Sequence, residues 1–196
     1  MNALRLTLIL LVIAGTGGCA HPMIIKPEMQ ALAATPNGER IEKNVGMYIS
    51  AANRQKEVTT PGGGGDKVTY RPYADLETGL YKVLTDVFQN VEVLNAPPNS
   101  EAIQSKSLAY IFEPEVTTTS SSSGVLTWMA TDFSVQLTCK ITDAQGQSVS
   151  TVSSTGSGHA DFSELKSNFS LAGQRASQDA LVKLRTSLAQ SADLKK

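Results

Sequence analysis

The sequence is poor in the residues that build covalent and metal frameworks. It holds two cysteines, Cys19 and Cys139, and two histidines among 196 residues. Two cysteines allow one disulfide at most, and cysteine and histidine are not clustered at the spacing of metal ligands. This composition excludes a disulfide-rich scaffold, and we expect neither a metal site nor a cofactor.

Aromatic residues and an excess of either charge are also scarce. Aromatic residues make up 6% of the chain, Trp128 is its only tryptophan, and the formal net charge is −1. A nearly neutral chain offers no electrostatic field that would collect nucleic acid. We therefore exclude nucleic acid as a partner.

No apolar run is long enough to remain in a membrane as a spanning helix. Leu6–Ala14 is almost wholly apolar and follows the basic residue Arg5, but a spanning helix needs ~20 apolar residues. A basic start, a short apolar core and small residues at a cleavage site are typical of a secretory signal. We predict that residues 1–18 are a signal peptide.

Cys19 directly follows the small residues Gly17 and Gly18, and this arrangement resembles the lipobox of bacterial lipoproteins. Thr16 departs from the pattern, which usually has Leu there. The resemblance implies lipid on Cys19, and several acyl chains hold a protein firmly on a bilayer. Because Ala20 rather than Asp follows the cysteine, the same resemblance implies the outer membrane, facing the periplasm. The alternative is an ordinary secreted protein in which Cys19 is incidental.

The rest of the chain fits one domain. Residues 19–44 contain three prolines and no sustained period, which favours a tether between the lipid and the domain. We predict a single periplasmic domain over residues 45–191, followed by a polar tail at 192–196.

Two segments carry helical periodicity. Asp75–Phe88 has apolar residues at i, i+4, i+7, i+8, i+11 and i+12, which predicts an amphipathic helix with Asp75 as its N-cap. In residues 171–191, alanine or leucine recurs every fourth position, and the small alanines would allow close packing on a sheet. These segments are the two main predicted helices.

Strands are predicted on both sides of a turn near the end of the domain. Residues 133–141 alternate apolar and polar side chains, with Cys139 on the buried side. Asp143–Gly146 has turn composition, so Ser148–Ser154 should return as a hairpin that Gly156 and Gly158 then break or bend. The order of elements predicts an α+β fold, a mostly antiparallel sheet with two helices packed on one face.

Two regions are predicted to contact a partner. Gly62, Gly63, Gly64 and Gly65 lie in a run of about twenty residues without a strong pattern, which predicts a mobile loop. Trp128 ends an apolar patch after a serine run, and it either packs in the core or anchors a partner. The glycine run lacks the spacing of a nucleotide-binding loop.

No catalytic set is predicted. Ser157, His159 and Asp161 alternate along one predicted strand and could share a face. A nucleophile, its base and the group that orients the base normally converge from different elements. We therefore expect a protein that is not an enzyme.

Taken with Gly18-Cys19, the helix Asp75–Phe88, the strand 133–141 with its turn and the alanine-spaced last helix, the chain resembles YajG-like outer-membrane lipoproteins. More distantly it resembles the curli-secretion, Pel-export and penicillin-binding-protein-activator lipoproteins. The resemblance implies scaffolding and interaction rather than one activity.

Two hypotheses about function follow. The first is a lipid-anchored accessory protein that binds an envelope protein or itself in an assembly or export system. The second is a binding module for an envelope polymer or lipid, such as peptidoglycan, exopolysaccharide or lipopolysaccharide. That module would need an open groove lined by aromatic residues such as Tyr70, Tyr73 or Trp128.

Overall fold

A computed structural model describes residues 20–32, 39–98, 103, 106–122 and 129–196. The chain has the predicted α+β fold. Its strands are β1 (Ala20–Pro22), β2 (Ile41–Tyr48), β3 (Val58–Pro61), β4 (Lys67–Tyr70), β5 (Phe88–Leu94), β6 (Tyr110–Ser121), β7 (Asp132–Thr142) and β8 (Ser148–His159). Its helices are α1 (Met29–Leu32), α2 (Ala51–Gln55), α3 (Pro72–Val87), α4 (Phe162–Leu165) and α5 (Leu171–Gln190), with a 3-10 turn at Asp193–Lys195.

The large sheet has the strand order β5-β2-β6-β7-β8. The second half is antiparallel, as predicted, because β6, β7 and β8 follow one another through short connections. The first half is parallel, since β2 pairs in parallel with both β5 and β6. Parallel neighbours need a crossover, and α3 lies in the connection from β2 to β5. The sheet is therefore mixed.

The segment after Cys19 differs from the predicted tether. β1 pairs in parallel with β4, and Met23, Ile25 and Leu32 are buried in the main core. The backbone amide of Ile25 donates to Asp75 Oδ2 at 3.0 Å. The alternating apolar side chains of this segment pack beside the helices. This alternation is a sequence pattern that indicates burial, and the prolines of the segment made it less apparent.

α3 confirms the predicted amphipathic helix with a shifted start. Pro72 takes the first helical position, and Arg71 precedes it as an N-cap without a side-chain hydrogen bond. Asp75 is therefore not the cap; it lies in the first turn, where burial raises the pKa of its carboxyl despite the hydrogen bond from Ile25. The apolar stripe is buried as predicted, from Leu76 to Val87.

α5 packs on β8 at backbone distance. A Cβ on Gly156 would lie 2.2 Å from the carbonyl oxygen of Ala176, and a Cβ on Gly158 would lie 2.0 Å from that of Ala172. These glycines do not break the strand, contrary to prediction. β8 runs through them to His159 because they remove the side chains that would hold the helix away.

Different elements pack on the two faces of the large sheet. α3, α5 and the small sheet of β1, β4 and β3 cover one face, over the main core. On the other face, a second cluster of Leu94, Ile103, Leu108 and Ile111 lies over the parallel half. On the antiparallel half of that face, the outward side chains of β6, β7 and β8 are exposed or half-buried.

The C-terminal segment differs from the polar tail predicted at residues 192–196. Leu194 in the 3-10 turn is fully buried, and the hydroxyl of Tyr110 donates to the carbonyl oxygen of Asp193 at 3.3 Å.

Cys139 lies on the buried side of β7, where burial raises its pKa to about 12. A thiol in that position is inert, as its place in the alternating pattern predicted.

The glycines of β8 yield a stability prediction. Gly158→Ala should lower the free energy of unfolding by about 3 kcal/mol, because the new methyl group overlaps the backbone of α5. Ser157→Ala is the matched control, since this neighbouring side chain points to solvent, and it should change stability by less than about 0.5 kcal/mol. Urea unfolding measures both. Equal stability of the two variants would contradict the close packing.

Candidate functional site

The open half of the large sheet presents a polar surface made mostly of hydroxyl groups. Successive residues of a strand point to opposite faces, and the residues of β8 that face α5 are the even-numbered ones. The opposite face of β6, β7 and β8 is therefore formed by their outward neighbours, and we call it the hydroxyl face. Its hydroxyl side chains are those of Thr117, Thr119, Ser121, Ser134, Thr138, Thr151, Ser153, Thr155 and Ser157.

A shallow cleft of about 660 Å³ lies at one end of the hydroxyl face. Its wall is formed where the end of β6, the start of β7 and the end of β8 meet. The lining residues are Thr119, Ser120, Ser121, Asp132, Phe133, Ser134, Ser157, Gly158 and His159. Five of these nine residues carry a hydroxyl group, and Asp132 and His159 add one carboxylate and one imidazole.

His159 stands at the rim of the cleft between two carboxylates. Its Nδ1 lies 2.7 Å from Asp132 Oδ1, and its Nε2 lies 3.3 Å from Asp161 Oδ1. The hydrogen bond with Asp132, followed by that with Asp161, raises the pKa of the imidazole above its ordinary value of 6.5. Thr131 and then His159 lower the pKa of Asp132. The cluster therefore favours a charged imidazolium.

The same geometry does not assemble the hydrolase arrangement considered for Ser157 and His159. Both ring nitrogens face carboxylates, so neither is directed at the hydroxyl of Ser157. The backbone amide of Ser157 donates to Asp179 Oδ2 at 3.0 Å, on the side of α5. His159 is therefore not positioned to activate Ser157 as a nucleophile.

Side chains of α5 bond three backbone groups on the free side of β8, which is one edge of the large sheet. Arg175 Nη1 donates to the carbonyl oxygen of His159 at 2.7 Å. Lys183 Nζ donates to the carbonyl oxygen of Thr155 at 3.1 Å, and Asp179 accepts from the amide between them. These contacts with the β8 edge could have been predicted from the sequence, because Arg175, Asp179 and Lys183 recur at every fourth position and therefore share one helix face.

The glycine run forms a tight turn rather than a long loop. The amide of Gly62 donates to the carbonyl oxygen of Asp66 at 2.9 Å, and Gly64 and Gly65 have φ values of 65° and 89°. Only glycine adopts such values without strain. The expected twenty-residue loop is wrong because α2, β3 and β4 occupy most of it. The partner contact predicted for Gly62–Gly65 stays a prediction.

This turn lies beside the cleft. The hydroxyl of Ser120, a cleft residue, donates to the carbonyl oxygen of Pro61 at 2.5 Å. Ala20 pairs with Lys67 directly after the turn, and His21 Nε2 lies 3.5 Å from Asp66 Oδ2. The chain that follows Cys19 therefore enters the fold at the same end as the cleft. We call this end the N-terminal pole.

Two predicted site residues lie outside the described residues, namely Cys19 and Trp128. Tyr70 and Tyr73 are described, and both are buried with 3% of their surface exposed. The hydroxyl of Tyr70 lies 2.6 Å from that of Thr118 and ties the small sheet to β6. These two tyrosines therefore cannot line the open groove expected for a polymer-binding module.

The described ranges contain neither a metal-binding cluster nor a membrane-spanning helix. No group of three or more His, Cys, Asp or Glu residues there could hold a metal ion. No helix in those ranges is both long and apolar enough to cross a membrane.

No family model matches the chain, and no curated protein matches it. Solved structures resemble it weakly. A Xanthomonas campestris protein of family DUF330 has a TM-score of 0.49 at 10% identity, covering 88% of this chain and 93% of that one. A minor lipoprotein from Acinetobacter baumannii has a TM-score of 0.42 at 19% identity, covering 77% and 93%.

The PelC dodecamer from Paraburkholderia phytofirmans has a TM-score of 0.39 at 18% identity, covering 74% of this chain and 93% of that one. None of these neighbours is described as YajG-like, and both the lipoprotein assignment and the narrower YajG-like one stay predictions. At such TM-scores and identities, the comparisons decide nothing about what this chain binds or does.

The His159 cluster yields a prediction about pH. A pKa that is raised in the folded state stabilises the fold fully below the unfolded value near 6.5, and this stabilisation is lost as pH rises through the folded value. The imidazole should therefore titrate above 6.5 in an NMR titration, and Asp132→Asn should lower that midpoint. Asp143→Asn, in the distant β7–β8 turn, is the control and should leave it unchanged. An unshifted midpoint in the wild type would contradict the ion-pair geometry.

Proposed function

We propose that this protein is a lipid-anchored, non-enzymatic accessory protein of the cell envelope that binds a protein partner or a second copy of itself. In this proposal the lipid is on Cys19, and the protein faces the periplasm from the outer membrane. The observation that supports partner binding most directly is a difference between the two edges of the large sheet.

Among the described residues, side chains of a helix bond to one edge of the sheet and not to the other. On β8, charged side chains from α5 bond the edge backbone at Thr155, Ser157 and His159. On β5, the amide of Phe88 donates to the carbonyl oxygen of Leu84 at the end of α3, and from Gln89 onward the described residues form backbone hydrogen bonds only with β2. Unpaired strand edges are templates for pairing with another chain, and proteins that must remain monomeric usually block them.

β5 has the properties of a strand that accepts another strand. Its seven residues span Phe88–Leu94, and four of them, Gln89, Asn90, Glu92 and Val93, are exposed. Val93 leaves 41% of its surface accessible. Main-chain hydrogen bonds to such an edge supply affinity, while the alternate side chains supply specificity. Strand addition at β5 fits either an envelope protein or a second copy.

The hydroxyl face supports a second candidate function, the binding of an envelope polymer. Its regular rows of hydroxyl groups and the cleft beside His159 match the polar groups of a polysaccharide. The described part of this face carries no exposed aromatic ring on which a sugar would stack. Since Tyr70 and Tyr73 are buried, we place this function second.

The edge proposal yields a prediction about assembly. Val93→Lys should abolish the crosslinked partner or self-ladder formed in cells, because a lysine on an edge strand blocks strand addition. Ser153→Lys places the same charge on the hydroxyl face of β8 and should leave the crosslinks unchanged. In-cell crosslinking followed by affinity capture measures both. Loss of the crosslinks in the Ser153→Lys variant alone would shift the contact surface from β5 to the hydroxyl face.

The anchor yields a separate prediction. Cys19→Ala should move the protein from the membrane fraction to the soluble periplasmic fraction, because the acyl chains are the firm attachment. Cell fractionation measures this change, and Cys139→Ala is the control because that thiol is buried. An unchanged location of Cys19→Ala would refute the lipid anchor. An anchored protein that captures no protein would favour the polymer-binding alternative.

A further inference from the structure

Large apolar side chains are exposed unevenly over the described surface. Five exceed one-third exposure, and they are Ile24, Tyr81, Val93, Phe162 and Phe169. Val93 belongs to the β5 edge, and Tyr81 lies in the middle of α3. The other three lie at or beside the N-terminal pole, where Cys19 precedes the first strand.

Hydrogen bonds place two of these three residues side by side. The backbone amide of Ile24 donates to Ser170 Oγ at 3.1 Å, and Gln174 Nε2 donates to the carbonyl oxygen of Ile24 at 3.4 Å. Phe169 directly precedes Ser170 in the chain. The exposed fractions are 61% for Ile24 and 47% for Phe169. Two partly exposed apolar residues therefore lie beside the start of α5.

Phe162 projects from the same end of the molecule. β8 ends at His159, and Asp161 and Glu164 form a capping box that starts α4 at Phe162. Lys166 Nζ lies 5.1 Å above the centre of the Phe162 ring, so a cation borders the apolar group. We call Ile24, Phe162 and Phe169 the apolar corner.

We infer that the apolar corner inserts into the interfacial region of the bilayer that holds the lipid anchor, so that the N-terminal pole rests on the membrane surface. This inference rests on the proposed lipid on Cys19. Four residues separate Cys19 from Ile24, and the five residue steps between them span only about 17 Å even in a fully extended chain. β1 begins directly after Cys19, so no free tether separates the described domain from the acylated residue.

The size of the apolar corner favours a bilayer over a protein as its occupant. A stable protein interface buries about 800 Å² on each partner and involves about 20 residues. Three side chains offer far less. A tethered bilayer needs far less contact, because the anchor holds the surface at a high effective concentration. The neighbouring Lys166 and the hydroxyl groups of the cleft then face the lipid headgroups.

A site-specific fluorescence experiment on the lipidated protein tests this inference. The acylated Cys19 and the buried Cys139 leave a new surface cysteine as the group that accepts a label. Ser167→Cys, between Phe162 and Phe169, carries an environment-sensitive fluorophore. Gln145→Cys, in the turn at the other end of β7, carries it in the control. Each protein is reconstituted into vesicles of phosphatidylethanolamine with a minor share of phosphatidylglycerol and nitroxide-labelled lipid.

The inference expects strong quenching by the nitroxide lipid at residue 167 and none at residue 145. Replacing the apolar groups in the labelled protein by Phe162→Ser and Phe169→Ser should cut the quenching at residue 167 at least about tenfold, because each ring contributes buried apolar area. Tyr81→Ser, which removes an exposed apolar group from α3, should leave it unchanged.

The two proposals fail in different ways. A chain without lipid on Cys19 does not reconstitute at all, and this outcome refutes the anchor. A chain that reconstitutes but shows equal quenching at residues 167 and 145 overturns the membrane-facing pole and leaves the anchor standing. Quenching that survives the loss of both phenylalanines overturns the apolar corner as its cause. Protection of residue 167 by a crosslinked protein instead of lipid assigns the corner to a protein partner.

Discussion

The contact between α5 and β8 is the constraint on which the rest of the molecule depends. Because Gly156 and Gly158 have no side chains, the helix backbone lies against the strand. At that distance Arg175, Asp179 and Lys183 reach the edge backbone of β8 and close it. The same contact fixes the start of α5, and with it the turn that carries Phe169 and the hydrogen bond from Ile24. The close contact between α5 and β8 thus determines both which strand edge is capped and which residues lie at the N-terminal pole.

Capping one edge has a consequence for the other. A mixed sheet with α3 and α5 on one face has two strand edges, and here only β8 receives charged side chains from a helix. β5 belongs to the parallel half, and no strand in the described part of the chain pairs with its outer side. Asymmetric protection of this kind directs strand addition to a single edge. In the proposed assembly, contacts would therefore use β5 rather than β8.

The sequence predicted those elements whose signal is local. The alternation in residues 133–141, the turn at Asp143–Gly146 and the stripe of α3 each lie within one element, and each is present in the structure. Predictions failed where the deciding contact comes from a distant part of the chain. Gly156 and Gly158 were predicted to break or bend the strand because nothing near them in sequence reveals α5. Residues 20–32 were read as a tether because their burial depends on the groove between α3 and α5, and Asp132 was missed because only pairing of β7 with β8 brings it to His159.

The packing of residues 20–32 changes what a lipid on Cys19 would do. A tether of more than twenty residues would let the domain tumble at a distance from the bilayer, so that any surface could meet a partner. With β1 starting at Ala20, the lipid would instead hold one pole against the membrane. β6 runs nine residues from the level of Val93, at Phe112, to the pole at Ser121, or about 30 Å at the rise of a strand. The open edge of β5 would then stand at a fixed height above the bilayer, where two anchored copies or an anchored partner can meet it. Orientation by the anchor thus turns an exposed strand edge into a specific contact surface, because only partners presented at that height can reach it.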